Sequence, residues 1–182
     1  MIAAILGGIS LAMTNHFSHV WQLFIFGGLM MQARLLANMF DGMVAIQTAK
    51  ASPVGALYNE IPDRVSDAAF FIGAGYANGG IPELGYWATI MAILTAYIRS
   101  EGKVAGAHQE FCGPMAKPQR MATATIACVL AAFVPHTWTP SFGAFPNAGI
   151  MSIALVIISI GSAITIVRRL VKIATALRGL KT

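Results

Sequence analysis

All three aspartates of the chain, Asp41, Asp63 and Asp67, fall in one stretch. Asn38 stands three residues before Asp41, a spacing that puts both on one face of a helix. Asn59, Asp63 and Asp67 follow at intervals of four and share a face of a second helix. Two helices presenting such oxygen-bearing side chains to each other suit a hard divalent cation such as Mg2+ or Mn2+. Gly42 and Gly55 remove side chains where a ligand or a second backbone must come close. The alternative account is structural: these groups are helix-end acids paired with Arg64 and Lys50, and Glu60 and Arg64, at i and i+4, fit it. Carboxylates at membrane depth are costly and usually functional, and the gathering of every Asp into residues 38–67 favours a site.

Membrane depth follows from composition. The 182 residues are 57% hydrophobic and only 10% charged, where a soluble domain carries about 25% charged residues. Mean hydropathy is +0.69. Seven acids and twelve bases are too few to cover a water-soluble surface, so lipid must solvate most of it. A span needs about 20 apolar residues, and the candidates are residues 1–13, 20–40, 56–76, 84–98, 121–138 and 148–167. Gly and Pro clusters separate the later ones. Residues 1–13 carry no basic leader and are too short to cross alone, so further sequence upstream of Met1 is expected. With six spans, all twelve Lys and Arg fall on one side, and His16, His19, Glu83 and His136 on the other. The basic side is cytoplasmic by the positive-inside rule, and with it both termini and the Asp-bearing segment.

The net charge of +5 is thereby explained without nucleic acid. Cys112 and Cys128 form no metal or redox motif and read as small buried residues. The tail from Arg168 onward is basic and partly amphipathic, which suits either the anionic leaflet or a solvated helix end. Gly27, Gly28, Gly73, Gly75 and Gly161 permit close helix approach. The expected fold is an all-α integral membrane domain over residues 1–182. It is a bundle of about six transmembrane helices with a polar cavity facing the cytoplasm.

Residues 38–63 resemble the signature of the CDP-alcohol phosphatidyltransferases, D-x2-D-G-x2-A-R-x8-G-x3-D-x3-D, with every gap the right length. Asp41, Gly42, Ala45, Gly55 and Asp63 match; Asn38, Ile46 and Asn59 stand where the family has Asp, Arg and Asp. Ser52, Pro53 and Val54 before Gly55, and Arg64 after Asp63, also look like the family.

The resemblance implies a transferase of phospholipid biosynthesis in a bacterial inner membrane. Such an enzyme moves a phosphatidyl group from CDP-diacylglycerol to a polar alcohol and releases CMP. It further implies Asp63 as general base. Asp41, Asp63, Asn38 and Asn59 would be ligands of Mg2+ or Mn2+, and Gly42, Ala45 and Gly55 the shapers of the CDP pocket. A homodimer is the family's habit. Two Asn in place of Asp weaken the metal site, and Glu60 compensates only if the helix unwinds, since it points about 100° from Asn59. An acceptor carrying a phosphate would want bases near Asp63, and Lys117 and Arg120 lie on the correct side. The alternatives are an inactive relative that binds lipid or nucleotide, motivated by Asn38 and Asn59, and a small transporter.

Overall fold

The computed structural model describes residues 1–17, 20–47, 53–108, 112–134 and 148–179; within them, the side chains of residues 41–42, 44–47 and 53–59 lie outside the description. All of the described regular structure is helical. α1 (Ile2–Ala12) runs into a 3-10 turn, Met13–Asn15, followed by α2 (Val20–Gln47), α3 (Pro53–Gly75), α4 (Pro82–Val104), α5 (Lys117–Phe133) and α6 (Ile150–Gly179).

Local chemistry sets several of these ends. Pro82 opens α4 and Pro118 lies in the first turn of α5, where a missing N–H costs nothing. α4 closes on Gly106 at φ +95°. There the Gly106 N–H reaches the Lys103 carbonyl at 3.1 Å and the Ala107 N–H reaches that of Gly102 at 2.9 Å. These are the two bonds of a Schellman cap.

The helices close into a ring. α1 packs on α2 and α3, α3 on α4, α4 on α6, α6 on α5 and α5 on α2, with α3 also touching α6. Phe24, Phe70, Phe71, Leu11, Met151 and Ile158 fill its centre. Small residues bring the backbones together. A Cβ on Gly8 would overlap the Ala69 carbonyl of α3, one on Gly73 would overlap the Gly8 backbone, and Gly75 lies against Gly85 of α4. At one end the chain is riveted by polar bonds: the Asn78 N–H donates to Thr14 Oγ1 (2.7 Å), and the Gly79 carbonyl accepts from the Gly149 N–H (2.8 Å) and Ser152 Oγ (2.8 Å).

Polarity is distributed inside out. Asp67, Arg120, Arg169, Thr165 and Ser162 are buried, while Ile2, Trp87, Ile126, Ile160, Val167 and Val171 are exposed. Among the described residues, two helices are long and apolar enough to cross a membrane by length and composition alone, α2 over Val20–Phe40 and α6 over Ile150–Gly179; Ile2–Asn15 is a shorter apolar one.

The helix centres match the apolar segments of the sequence, but the ends extend further. α2 continues to Gln47, α4 to Val104 and α6 to Gly179, and α5 starts at Lys117. As far as Gly179 the basic tail is therefore a continuation of α6, with Arg169 turned inward and 4% exposed. Hydropathy stops at the first charged residues, whereas the backbone keeps its helix wherever those charges find partners. Of the expected fifth span, residues 135–138 lie outside the described residues.

The close approach of α1 and α3 yields a stability test. Gly8→Ala is expected to cost about 1–3 kcal/mol, because backbone must move to admit the methyl group. Gly28→Ala, whose Cβ would meet Cys128 at 3.4 Å, should leave stability nearly unchanged. Thermal unfolding of both variants in detergent checks the contrast.

Candidate active site

Asp63 sits on α3 directly after Pro62, which interrupts the helix's own hydrogen bonding. Its side chain is 14% exposed. Oδ1 accepts from Arg34 Nη2 at 2.7 Å and from the Asn38 side-chain amide. Oδ2 is 2.5 Å from Lys117 Nζ and 3.9 Å from Arg64 Nη2. Arg34 does three jobs from α2: Nε donates to Ser66 Oγ (3.1 Å), Nη1 donates to Asn38 Oδ1, and Nη2 holds Asp63. Charge-assisted bonds of this kind are about twice as strong as neutral ones, and here they join α2, α3 and α5.

Asp67, one turn further along α3, is 1% exposed and lies 3.3 Å from Arg120 Nη2 and 3.8 Å from Arg64 Nη1. Arg120 is itself 2% exposed and gives Nη1 to the Met115 carbonyl at 3.2 Å. Glu60 points the other way. Arg99 Nη2 lies 3.1 and 3.0 Å from its two oxygens, and Arg64 Nη2 lies 3.3 Å from Oε1.

A cavity of about 400 Å³ opens beside Asp63, lined among others by Arg64, Arg99, Lys117, Arg120 and Arg169. Five bases face one acid, so the space is built for an anion. The first turn of α5, Lys117 to Gln119, also lines it, which adds the positive end of a helix dipole. Arg169 braces the wall by donating to the Thr95 carbonyl (2.8 Å) and the Cys112 carbonyl (3.0 Å). Thr165 Oγ1 accepts the Met115 N–H at 3.0 Å, fixing the segment that leads into α5.

Of the residues singled out from sequence, Asn38, Asp63 and Lys117 meet directly, and Arg120 lies one turn deeper on Asp67. α2 carries Asp41, Gly42 and Ala45, and α3 carries Gly55 and Asn59, but their side chains lie outside the described residues, as do Ile46 and Lys50. Glu60 does not replace the acid missing at position 59. It turns toward α4, as its helical direction requires. Sequence reasoning missed Arg34, Arg99 and Arg169. The signal for Arg34 was present: an arginine inside an apolar span, four residues before Asn38, must have a partner.

Among the described residues, no three His, Cys, Asp or Glu gather at metal distance. Asn38 adjoins the Asp63 carboxylate across α2 and α3 through its amide nitrogen, while its Oδ1 accepts from Arg34. Both side chains carry hard oxygen donors of the kind Mg2+ and Mn2+ take. The Asp63 oxygens are taken up by Arg34, Lys117 and Arg64, which stand where a metal ion would. The donor types suit a hard divalent cation, which would have to displace Lys117 from Oδ2 and meet the Asn38 amide turned oxygen-first.

No family model matches the chain. A phosphatidylinositol phosphate synthase from Streptomyces avermitilis is 26% identical over 156 residues, 82% of this chain, and the chain spans 62% of that relative's length. The fold is that of the phosphatidylinositol phosphate synthase of Mycobacterium tuberculosis at 20% identity. The crystal structure with manganese and citrate matches over 96% of this chain and 78% of its own, with a TM-score of 0.74. The CDP-DAG-bound structure matches over 96% and 86%, at 0.69. These relatives belong to the CDP-alcohol phosphatidyltransferase family.

The buried pair of Asp67 and Arg120 gives a double-mutant test. Arg120→Met should destabilise by roughly 3 kcal/mol, because Asp67 keeps only the more distant Arg64. Adding Asp67→Leu should recover most of that loss, read by chemical denaturation in detergent.

Proposed function

We propose that this chain is a membrane-embedded CDP-alcohol phosphatidyltransferase. It moves the phosphatidyl group of CDP-diacylglycerol to a hydroxyl of an alcohol that itself carries a phosphate, releasing CMP. The observation that carries this reading is Asp63 at the edge of a cavity with five bases. An uncharged alcohol would offer those bases nothing beyond the partners they already hold, whereas a phosphate matches them. The similarity to phosphatidylinositol phosphate synthases, one solved with CDP-DAG, supports the donor. In this reading the six-helix bundle is embedded in a bacterial inner membrane, the site and both termini face the cytoplasm, and the chain pairs as a homodimer.

The chemistry assigns a part to each group. The acceptor's hydroxyl oxygen bonds to the phosphorus of the phosphatidyl group, and the bond from that phosphorus to CMP breaks. CMP carries away its phosphate, and Asp63 takes the hydroxyl proton as general base. Arg34 and Asn38 fix Oδ1, leaving Oδ2 toward the cavity. Lys117 at Oδ2 orients that oxygen and offers positive charge to the incoming phosphate. Arg64, Arg99, Arg120, Arg169 and the first turn of α5 hold the acceptor's phosphate while its hydroxyl meets the donor. Gly42, Ala45 and Gly55 shape the CDP pocket. A divalent cation, Mg2+ or Mn2+, held by Asp41, Asp63, Asn38 and Asn59, would offset charge on the donor's pyrophosphate and ease the departure of CMP. The manganese in the Mycobacterium tuberculosis structure supports that choice.

A second reading has its own observation. Both oxygens of Asp63 are engaged by cations and an amide, and such a site suits a relative that binds lipid or nucleotide without turnover.

CMP release from CDP-diacylglycerol separates the two. Purified protein in detergent should release CMP with Mn2+ and glycerol 3-phosphate or inositol phosphate, and not with serine. Asp63→Asn should lower the rate by about 10²- to 10⁴-fold. A folded sample that releases no CMP with any acceptor would establish the binding-only reading.

A further inference from the structure

Two of the arginines that line the basic cavity already hold an anion. Glu60 has a 41% exposed side chain, and it bonds the two arginines, Arg64 and Arg99, that face the cavity from α3 and α4. The other two acids of the region behave differently. Asp63 and Asp67 are 14% and 1% exposed and are bound by bases of α2 and α5. Glu60 is the most exposed of the three.

We propose that Glu60 is a resident counter-ion that a phosphate-bearing ligand displaces from Arg64 and Arg99, and so is a specificity-determining residue of the cavity. The proposal rests on reading the cavity as the site of a phosphorylated acceptor. Three observations carry it. First, Arg99 gives Glu60 a single nitrogen shared between both carboxylate oxygens, at 3.1 and 3.0 Å. That is weaker than the two parallel bonds of a bidentate pair. Second, Arg64 divides itself among Glu60, Asp63 and Asp67 at 3.3, 3.9 and 3.8 Å, so no single partner holds it closely. Third, both arginines have side chains only about one-fifth exposed, at 20% and 21%, so a ligand that takes them gains charge-assisted bonds in a poorly screened place. A phosphate monoester, with up to two negative charges and three terminal oxygens, outcompetes a single carboxylate for these donors. A neutral or singly charged acceptor gains little by the exchange. Glu60 thereby selects for phosphate and keeps the arginines occupied when none is bound.

An ordinary helix-surface pair of Glu60 and Arg64 would add a little stability and have no bearing on ligands. The recruitment of Arg99 from a different helix, toward the same carboxylate and beside the same cavity, is what that account leaves unexplained.

Inorganic phosphate is the probe, titrated calorimetrically into the full chain in detergent. The wild type, Glu60→Gln and Glu60→Ala are compared, the alanine variant serving if the glutamine variant misfolds. The expected result is phosphate binding about fivefold tighter in either variant, the gain from removing a partly exposed competing ion pair, with an unliganded Tm no higher than that of the wild type. Equal affinity in the wild type and a folded variant would overturn the proposal while leaving the acceptor site standing, as would weaker binding in the variant. No phosphate binding by any of the folded proteins would overturn the acceptor reading of the cavity, and this inference with it.

Discussion

A carboxylate inside an apolar bundle needs cations within reach, and the architecture around Asp63 answers that need. Arg34 comes from the middle of α2, Lys117 from the first turn of α5, and Arg64 from the next position on α3 itself. Removing charges from water costs several kcal/mol per ion unless partners and hydrogen bonds are supplied together. The helices must therefore stay in register at this level. α5 begins where Lys117 reaches Asp63, and α2 is placed so that Arg34 spans Asn38, Asp63 and Ser66 at once. Elsewhere in the ring, apolar contacts and close glycine approaches do the holding. Here ionic demands set the geometry.

The same demands explain what could be read from the sequence. The centres of the helices were legible because apolar runs of span length have few other uses. The co-location of Asn38 and Asp63 was legible because their spacing is set by two helices joined by a short connection. The ends of the helices were not, since hydropathy falls at Arg99, Lys117 and Arg169, while each of these charges finds an acceptor that lets the helix go on. A base at the edge of a span reads as a positive-inside residue whether it faces water or a cavity. Only its partners, drawn from other helices, decide which. Glu60 was legible in direction from helical geometry, but its partner Arg99 is 39 residues away and on another helix. The expected roles of Asp41, Gly42, Ala45, Gly55 and Asn59 stand on sequence pattern alone.

The asparagine at position 38 is coherent with this network. An aspartate there would face Asp63 across the helix pair, like charge against like, and only Arg34 would stand between them. The amide avoids that conflict. Its Nδ2 donates to Asp63 while its Oδ1 accepts from Arg34, so one neutral side chain closes a triangle that two acids would strain. The substitution leaves charge to be accounted for. Arg34, Arg64, Arg99, Lys117, Arg120 and Arg169 stand against Glu60, Asp63 and Asp67. The described region thus carries more bases than acids before any ligand arrives. A site in that state favours substrates that bring negative charge, and a pyrophosphate donor with a phosphate-bearing acceptor brings it from both sides. In the proposed reading, an amide in place of a carboxylate leaves more of the charge balance to the substrates. Such a balance suits the dense set of arginines that stands beside Asp63.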